Sequence, residues 1–192
     1  MSNKKPMLIV YAGPNGSGKS TVLSHLDRFG EYTNADEVVA ATGMSNIDAA
    51  KFVDAKRYQA IKEHRDFSFE TVLSSPYKMD LLRAAKQQGY FIKCFFILTN
   101  NPELNVARVR ARVSQGGHDV DPVKIKERYW RSLANIKELL TLCDILHVYD
   151  NTLNEPRRII RKHKEDLSLF PNGIWSQDDL SALINGNILK DH

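Results

Sequence analysis

Residues 6–21 read PMLIVYAGPNGSGKST. A short apolar, β-branched run ends in glycine, a glycine-rich stretch follows, and a helical pattern begins. A strand this uniformly apolar is buried on both faces, the situation of a parallel sheet whose crossovers are helices. Gly13, Gly18, Lys19 and Ser20 match G-x-x-x-x-G-K-[ST] without a gap. Gly16 and Gly18 permit backbone angles closed to other residues. The amides of residues 15 to 20 then turn inward as a nest for phosphate. A helix starting near Lys19 adds the positive end of its dipole, worth up to roughly 2 kcal/mol. The cofactor-binding set expected from this stretch is Gly13, Pro14, Asn15, Gly16, Ser17, Gly18, Lys19, Ser20 and Thr21. Lys19 should reach the β- and γ-phosphates of a nucleotide, and Ser20 Oγ should contact Mg²⁺. ATP is the expected nucleotide. The base-reading sequence of many GTPases, N-K-x-D, does not occur, although position alone leaves GTP open.

The rest of the chain alternates strand and helix signals, which predicts one α/β domain over residues 1–192 with a doubly wound parallel sheet of about five strands. The strand candidates are 6–13, a short one near Tyr32 and Thr33, 66–75, 90–100 and 144–151. Pro76 should open a helix that Gly89 stops. Another helix starts at Pro102 and ends near SQGGHD, and the stretch of about 103–121 reads as a small helical lid. Ile125, Tyr129, Leu133, Ile136 and Leu140 form one stripe, predicting a single long helix from about Pro122 to Leu142. In the C-terminal appendage, about 152–192, EPRRIIRKHK reads as a strand or a short helix. SQDDLSALING there carries a serine cap, early acids and a closing glycine, so it predicts a terminal helix.

A phosphoryl-transfer site needs an acid at the acceptor, a place for the acceptor, and positive charge over the moving group. Asp36 follows the second strand at the carboxyl edge where ligands bind in open α/β sheets, with Glu37 as its competitor. Glu70 and Thr71 end the third strand on the same crevice and are the substrate-binding candidates, with His118 in the GGHD turn. Ser74 and Ser75 read better as caps. Arg108 and Arg112 are four apart and share a helix face, whereas Arg110 points elsewhere. Arg128 and Arg131 are weaker candidates. No strand ends in the acid pair of a motor ATPase, which argues for activating a substrate hydroxyl instead of water. The catalytic set is therefore Asp36, Lys19, Arg112 and Arg108.

The formal charge is +4, from 27 basic and 23 acidic residues. The basic residues are dispersed and only RRIIRKHK (157–164) is dense, which reads as solvated helix surface; nucleic acid is not the expected partner. Cys94 and Cys143 lie in apolar contexts and read as buried thiols. No signal-peptide pattern and no long uncharged apolar stretch is visible, so a cytoplasmic location with no membrane contact is expected.

In order, GPNGSGKST, NAD, FETVLSS, the paired arginines and GGHDV resemble the zeta-toxin-like P-loop kinases, in their compact, non-classical branch. The resemblance spans about residues 7 to 151. It implies a small kinase related in fold to shikimate and chloramphenicol kinases, with ATP and Mg²⁺ as cofactors. The best-described zeta toxins phosphorylate the 3′-hydroxyl of UDP-N-acetylglucosamine and are neutralised by an antitoxin, so both a UDP-amino sugar and an antitoxin become expectations. By resemblance, Lys19 and Ser20 match the ATP and magnesium residues, Asp36 the catalytic base, Glu70 a substrate-site glutamate, and Arg112, with Arg108 beside it, the phosphate-neutralising arginine. His118 stands where the toxins proper carry an arginine, and the proline often close behind is displaced in GGHDVDP. The function expected is transfer of the ATP γ-phosphoryl to a small-molecule hydroxyl. Two other readings stay open: a nucleoside or nucleic-acid kinase, and a non-catalytic nucleotide-sensing protein.

Overall fold

A computed structural model describes residues 5–23, 28–117, 119–153 and 155–187. Strand β1 (Met7–Ala12) leads into helix α1 (Lys19–Leu23). There follow β2 (Glu31–Thr33), α2 (Ala35–Thr42), α3 (Asn46–Lys62), β3 (Phe67–Thr71), α4 (Pro76–Gln87) and β4 (Phe91–Leu98). Then come α5 (Pro102–Val113), α6 (Pro122–Ala134), α7 (Ile136–Leu142), β5 (Ile145–Asp150), β6 (Arg157–His163), β7 (Asp166–Leu169) and α8 (Gln177–Asn185). The sheet has seven strands in the order β2-β3-β1-β4-β5-β6-β7. The first five are mutually parallel, as the sequence predicts, and β6 and β7 extend the sheet antiparallel.

Two sequence readings are settled by the structure. Of strand and short helix, RRIIRKHK takes the strand, so its basic residues are not helix surface: Ile159 and Ile160 are fully buried while Arg157, Arg158 and Arg161 stay exposed. The long helix from Pro122 breaks at Asn135, which ends α6 and precedes α7. Asn135 Nδ2 donates to the carbonyl of Leu73 (2.8 Å), and Ser132 Oγ donates to that of Val72 (2.7 Å). The apolar stripe continues through the break, so hydrophobic spacing alone did not reveal it.

One face of the sheet carries the main core. Leu8, Val10, Ile92, Cys94, Phe96, Leu146 and Val148 project from it, and α3, α4, α6, α7 and α8 cover it. Each fully buried Leu or Ile there contributes about 1.5–3 kcal/mol. Cys94 and Cys143 are buried free thiols, and burial raises the Cys94 pKa well above its ordinary value. Helices α5 and α6 form a hairpin with a small apolar cluster of its own, Val106, Val109 and Ile125. Among the described residues, no helix is long and apolar enough to cross a membrane.

Candidate functional site

The loop from Gly13 to Gly18 leaves β1 at the carboxyl edge of the sheet. The Gly13 amide donates to the carbonyl of Thr71 (3.2 Å), tying the loop's start to the end of β3. Gly16 has φ +76, and any Cβ there would collide with the backbone of Asn105; a side chain is excluded twice over. Two asparagines brace the loop from outside. Asn105 Nδ2, on α5, donates to the Asn15 carbonyl (2.7 Å), and Asn151 Nδ2, just past β5, donates to the Ser17 carbonyl (2.8 Å). Asn105 Oδ1 in turn accepts from Thr99 Oγ1. Neither asparagine was among the sequence candidates.

Lys19 is only 8% exposed. Its Nζ donates to the carbonyls of Gly13 (2.8 Å) and Pro14 (3.1 Å) and lies 4.0 Å from Glu70 Oε1. Desolvation by burial lowers its pKa; Glu70 opposes that shift, Arg112 adds to it, and Asp36 opposes it. Three other side chains that the sequence nominates therefore act on the charge of Lys19. Register carries Glu70 to this place: Tyr11 on β1 pairs with Glu70, and Ala12 with Thr71. Thr71 itself is engaged locally, its Oγ1 accepting from the Leu73 amide (3.0 Å).

Asp36 sits in the first turn of α2, its amide capped by Asn34 Oδ1 (3.0 Å). Its competitor Glu37 is taken by Arg28, at 2.6 Å and 3.3 Å. Arg112 lies in the last turn of α5, exposed. The turn after it folds back, with the Gly117 amide donating to the Arg112 carbonyl (3.0 Å), and a Cβ on Gly117 would strike the Arg112 stem. Arg108 faces a different target from Arg112. It donates to the carbonyls of Asn151 (2.9 Å) and Thr152 (3.1 Å), fastening α5 to the strand end that holds the loop. Ser20 and Thr21 are exposed on α1. Ser75 occupies the N-cap position of α4 without a side-chain cap bond. His118 lies outside the described residues.

The site fits a nucleotide's phosphates. It offers a glycine cradle, two cations in Lys19 and Arg112, and a buried Ser17 Oγ without a hydrogen-bond partner among the described residues. Ser20, at the open side, is the hydroxyl available to Mg²⁺. Among the described residues, no group of three or more metal-ligating side chains stands ready to hold an ion by itself.

Comparison with known proteins agrees with this geometry. The zeta toxin family model matches residues 1–165. An uncharacterised protein of Haemophilus influenzae is 34% identical over 135 residues, spanning 67% of this chain and 94% of that protein. Among solved structures, the AvrRxo1-ORF1:ORF2 complex with ATP matches with a TM-score of 0.69 at 14% identity, over 99% of this chain and 67% of that one. The PezAT chromosomal toxin–antitoxin system of Streptococcus pneumoniae matches with a TM-score of 0.64 at 18% identity, over 97% and 86%. These two likenesses are of fold, that of the P-loop kinase-like zeta toxins. With the family model covering most of its length, the chain belongs to the zeta toxin family.

Proposed function

We propose that this protein transfers the γ-phosphoryl of ATP to a hydroxyl of a small molecule. The observation that carries the reading is the buried Lys19 under the simultaneous influence of Glu70, Arg112 and Asp36. That combination supplies charge neutralisation for a phosphoryl group and two carboxylates for a neutral acceptor. Bound ATP supplies the group to be moved, and Mg²⁺, held through Ser20, offsets its negative charge.

Asp36 orients the acceptor hydroxyl and takes its proton as the new P–O bond forms. Glu70 fixes the acceptor by accepting from a second hydroxyl. Lys19 exchanges its backbone acceptors for phosphate oxygens. Arg112, exposed at the lid's end, swings over the transferred group, and the Gly116–Gly117 turn gives it room. Arg108 holds the lid helix in register and acts on the loop through Asn151. A UDP-amino sugar is the acceptor that family membership suggests, and the solved toxin–antitoxin relative makes an antitoxin a reasonable partner.

The test is γ-labelled ATP with Mg²⁺ against pooled small metabolites, UDP-N-acetylglucosamine included, with wild type and Asp36→Asn side by side. Label should move to one acceptor with wild type, and D36N should bind ATP normally while losing about 100-fold or more of the transfer rate. Equal transfer by both proteins removes Asp36 from its role. Label released only as free phosphate, or retained on ATP, favours a nucleotide-sensing protein. Label on a nucleoside or an oligonucleotide end changes the substrate class.

A further inference from the structure

Among the described residues, the sheet face opposite the main core is only partly covered. On β4 and β5 the residues that alternate with the buried core are half-exposed, Lys93, Phe95, His147 and Tyr149 among them. The aromatic ones form a ladder across neighbouring strands that starts at buried Tyr11 on β1, stacked on Phe95 at 5.9 Å. Phe95 and His147 stack at 5.6 Å between ring centroids with planes 25° apart, and His147 lies 6.3 Å from Tyr149. Lys93 Nζ stands 4.8 Å from the Phe95 ring centre.

The basic segment that the function above leaves unused enters here. As β6, it pairs Arg158 with Tyr149, Arg161 with His147, and His163 with Ile145. Cross-strand partners share a face, so the arginines border the aromatic ladder, and both are exposed. No acid stands on this face of β4, β5 or β6; the nearest along the sheet is Asp166 on β7, opposite His163. Burial and the cations Arg158, Lys93 and Arg161 push the His147 pKa down to about 4. At neutral pH it is therefore an uncharged ring in the stack.

Half-buried rings flanked by cations, on a face that the described residues leave partly uncovered, match what unpaired bases and their phosphates require. A duplex does not fit, because its bases are already stacked. We propose that this face of β4, β5 and β6 binds single-stranded nucleic acid, with His147 and Tyr149 offering ring surface to bases, Phe95 holding the ladder from between Tyr11 and His147, and Lys93, Arg158 and Arg161 meeting phosphates. This proposal is independent of the kinase reading.

The experiment is fluorescence anisotropy of a fluorescein-labelled mixed-sequence single strand, in DNA and RNA versions, titrated with the full chain at several salt concentrations. Binding is expected at about 1–100 µM. Arg158→Ala and Arg161→Ala should each reduce the log–log salt slope by about 0.7, and Phe95→Ala should weaken binding about tenfold. If F95A does not fold, the two exposed arginines carry the test, through the double variant R158E/R161E, which should abolish binding. The proposal is overturned by any of four results: no binding up to about 100 µM at low salt, equal affinity for duplex, binding unchanged in R158E/R161E, or displacement by excess ATP, which would place the strand on the phosphate loop. Capture by phosphatidylserine vesicles without oligonucleotide binding would overturn it too, by making the face a membrane surface.

Discussion

Asn105 shows how much of a phosphate loop is held by residues that no motif names. Its side chain is fully buried and joins Thr99 to the Asn15 carbonyl. Replacing it by Ala removes the brace: the Asn15 carbonyl loses this donor and Thr99 Oγ1 keeps only its longer bond to the Asn101 carbonyl (3.3 Å), at a cost of about 1–3 kcal/mol. We expect Asn105→Ala to lower the melting temperature and to weaken ATP binding by calorimetry, while the fold stays intact by circular dichroism. The G-x-x-x-x-G-K-S spacing made the loop itself legible, because each of its residues does local work. The braces were not legible, because an asparagine in a helix looks like any polar surface residue until the tertiary fold buries it. Arg108 illustrates the same limit. Spacing put it on one face with Arg112, but its partners are the carbonyls of Asn151 and Thr152, far along the chain.

His147 gives a pH prediction at the same scale. Its pKa in the fold is about 4, below the ordinary 6.5. Between those values the unfolded chain binds more protons than the native one, so stability rises with pH across that window and falls as pH drops through it. With the discount for its partial exposure, the change is about 1–2 kcal/mol. Chemical denaturation at pH 7 and pH 4.5 should show His147→Gln losing less stability on acidification than wild type.

Helix α2, which carries Asp36, has no buried residue of its own. What fixes its start is a polar anchor. Arg57 on α3 donates through Nε to Thr33 Oγ1 (2.8 Å) and through Nη2 to the Thr33 carbonyl (3.0 Å). The same guanidinium pairs with Asp54 at 2.8 Å and lies 4.3 Å over the Phe69 ring. Lys78 on α4 closes on both oxygens of Asp54, at 2.5 Å and 2.7 Å. One buried carboxylate thus serves two cations, and the two partners are not equivalent. Asp54→Leu leaves both cations uncompensated and should cost about 3–5 kcal/mol. Arg57→Met leaves Asp54 paired with Lys78 and should cost only about 1–3 kcal/mol. Urea denaturation of the two variants measures that order, and the reverse order would contradict the anchor as described. No motif marks Asp54 and Arg57 in the sequence; only the approach of β2 and α4 gives them their task.

Across the whole molecule, the parallel half of the sheet was legible and the antiparallel end was not. Strands β1, β3 and β4 are apolar enough to announce themselves. Strand β6 is not, because four of its seven residues are arginines or histidines, three of them on the partly covered face, and its core contact is the single pair Ile159–Ile160. The break between α6 and α7 was hidden for a related reason. The loop after β3 fixes Asn135 by hydrogen bonds that leave the apolar stripe undisturbed. The β6–β7 hairpin and α8 bring Ile159, Ile160, Trp175, Leu180 and Leu183 to the same core as the parallel strands.

The two braces on the phosphate loop also set an order of events during synthesis. Asn105 reaches back 90 positions to Asn15, and Asn151 reaches back 134 positions to Ser17. The loop leaves the ribosome well before its last clamp does. Contacts of such long sequence separation close late, because the intervening chain must first be ordered. The nascent polypeptide therefore carries a complete phosphate-binding sequence well before it has a complete phosphate-binding site, and competence for nucleotide arrives with the end of the fifth strand.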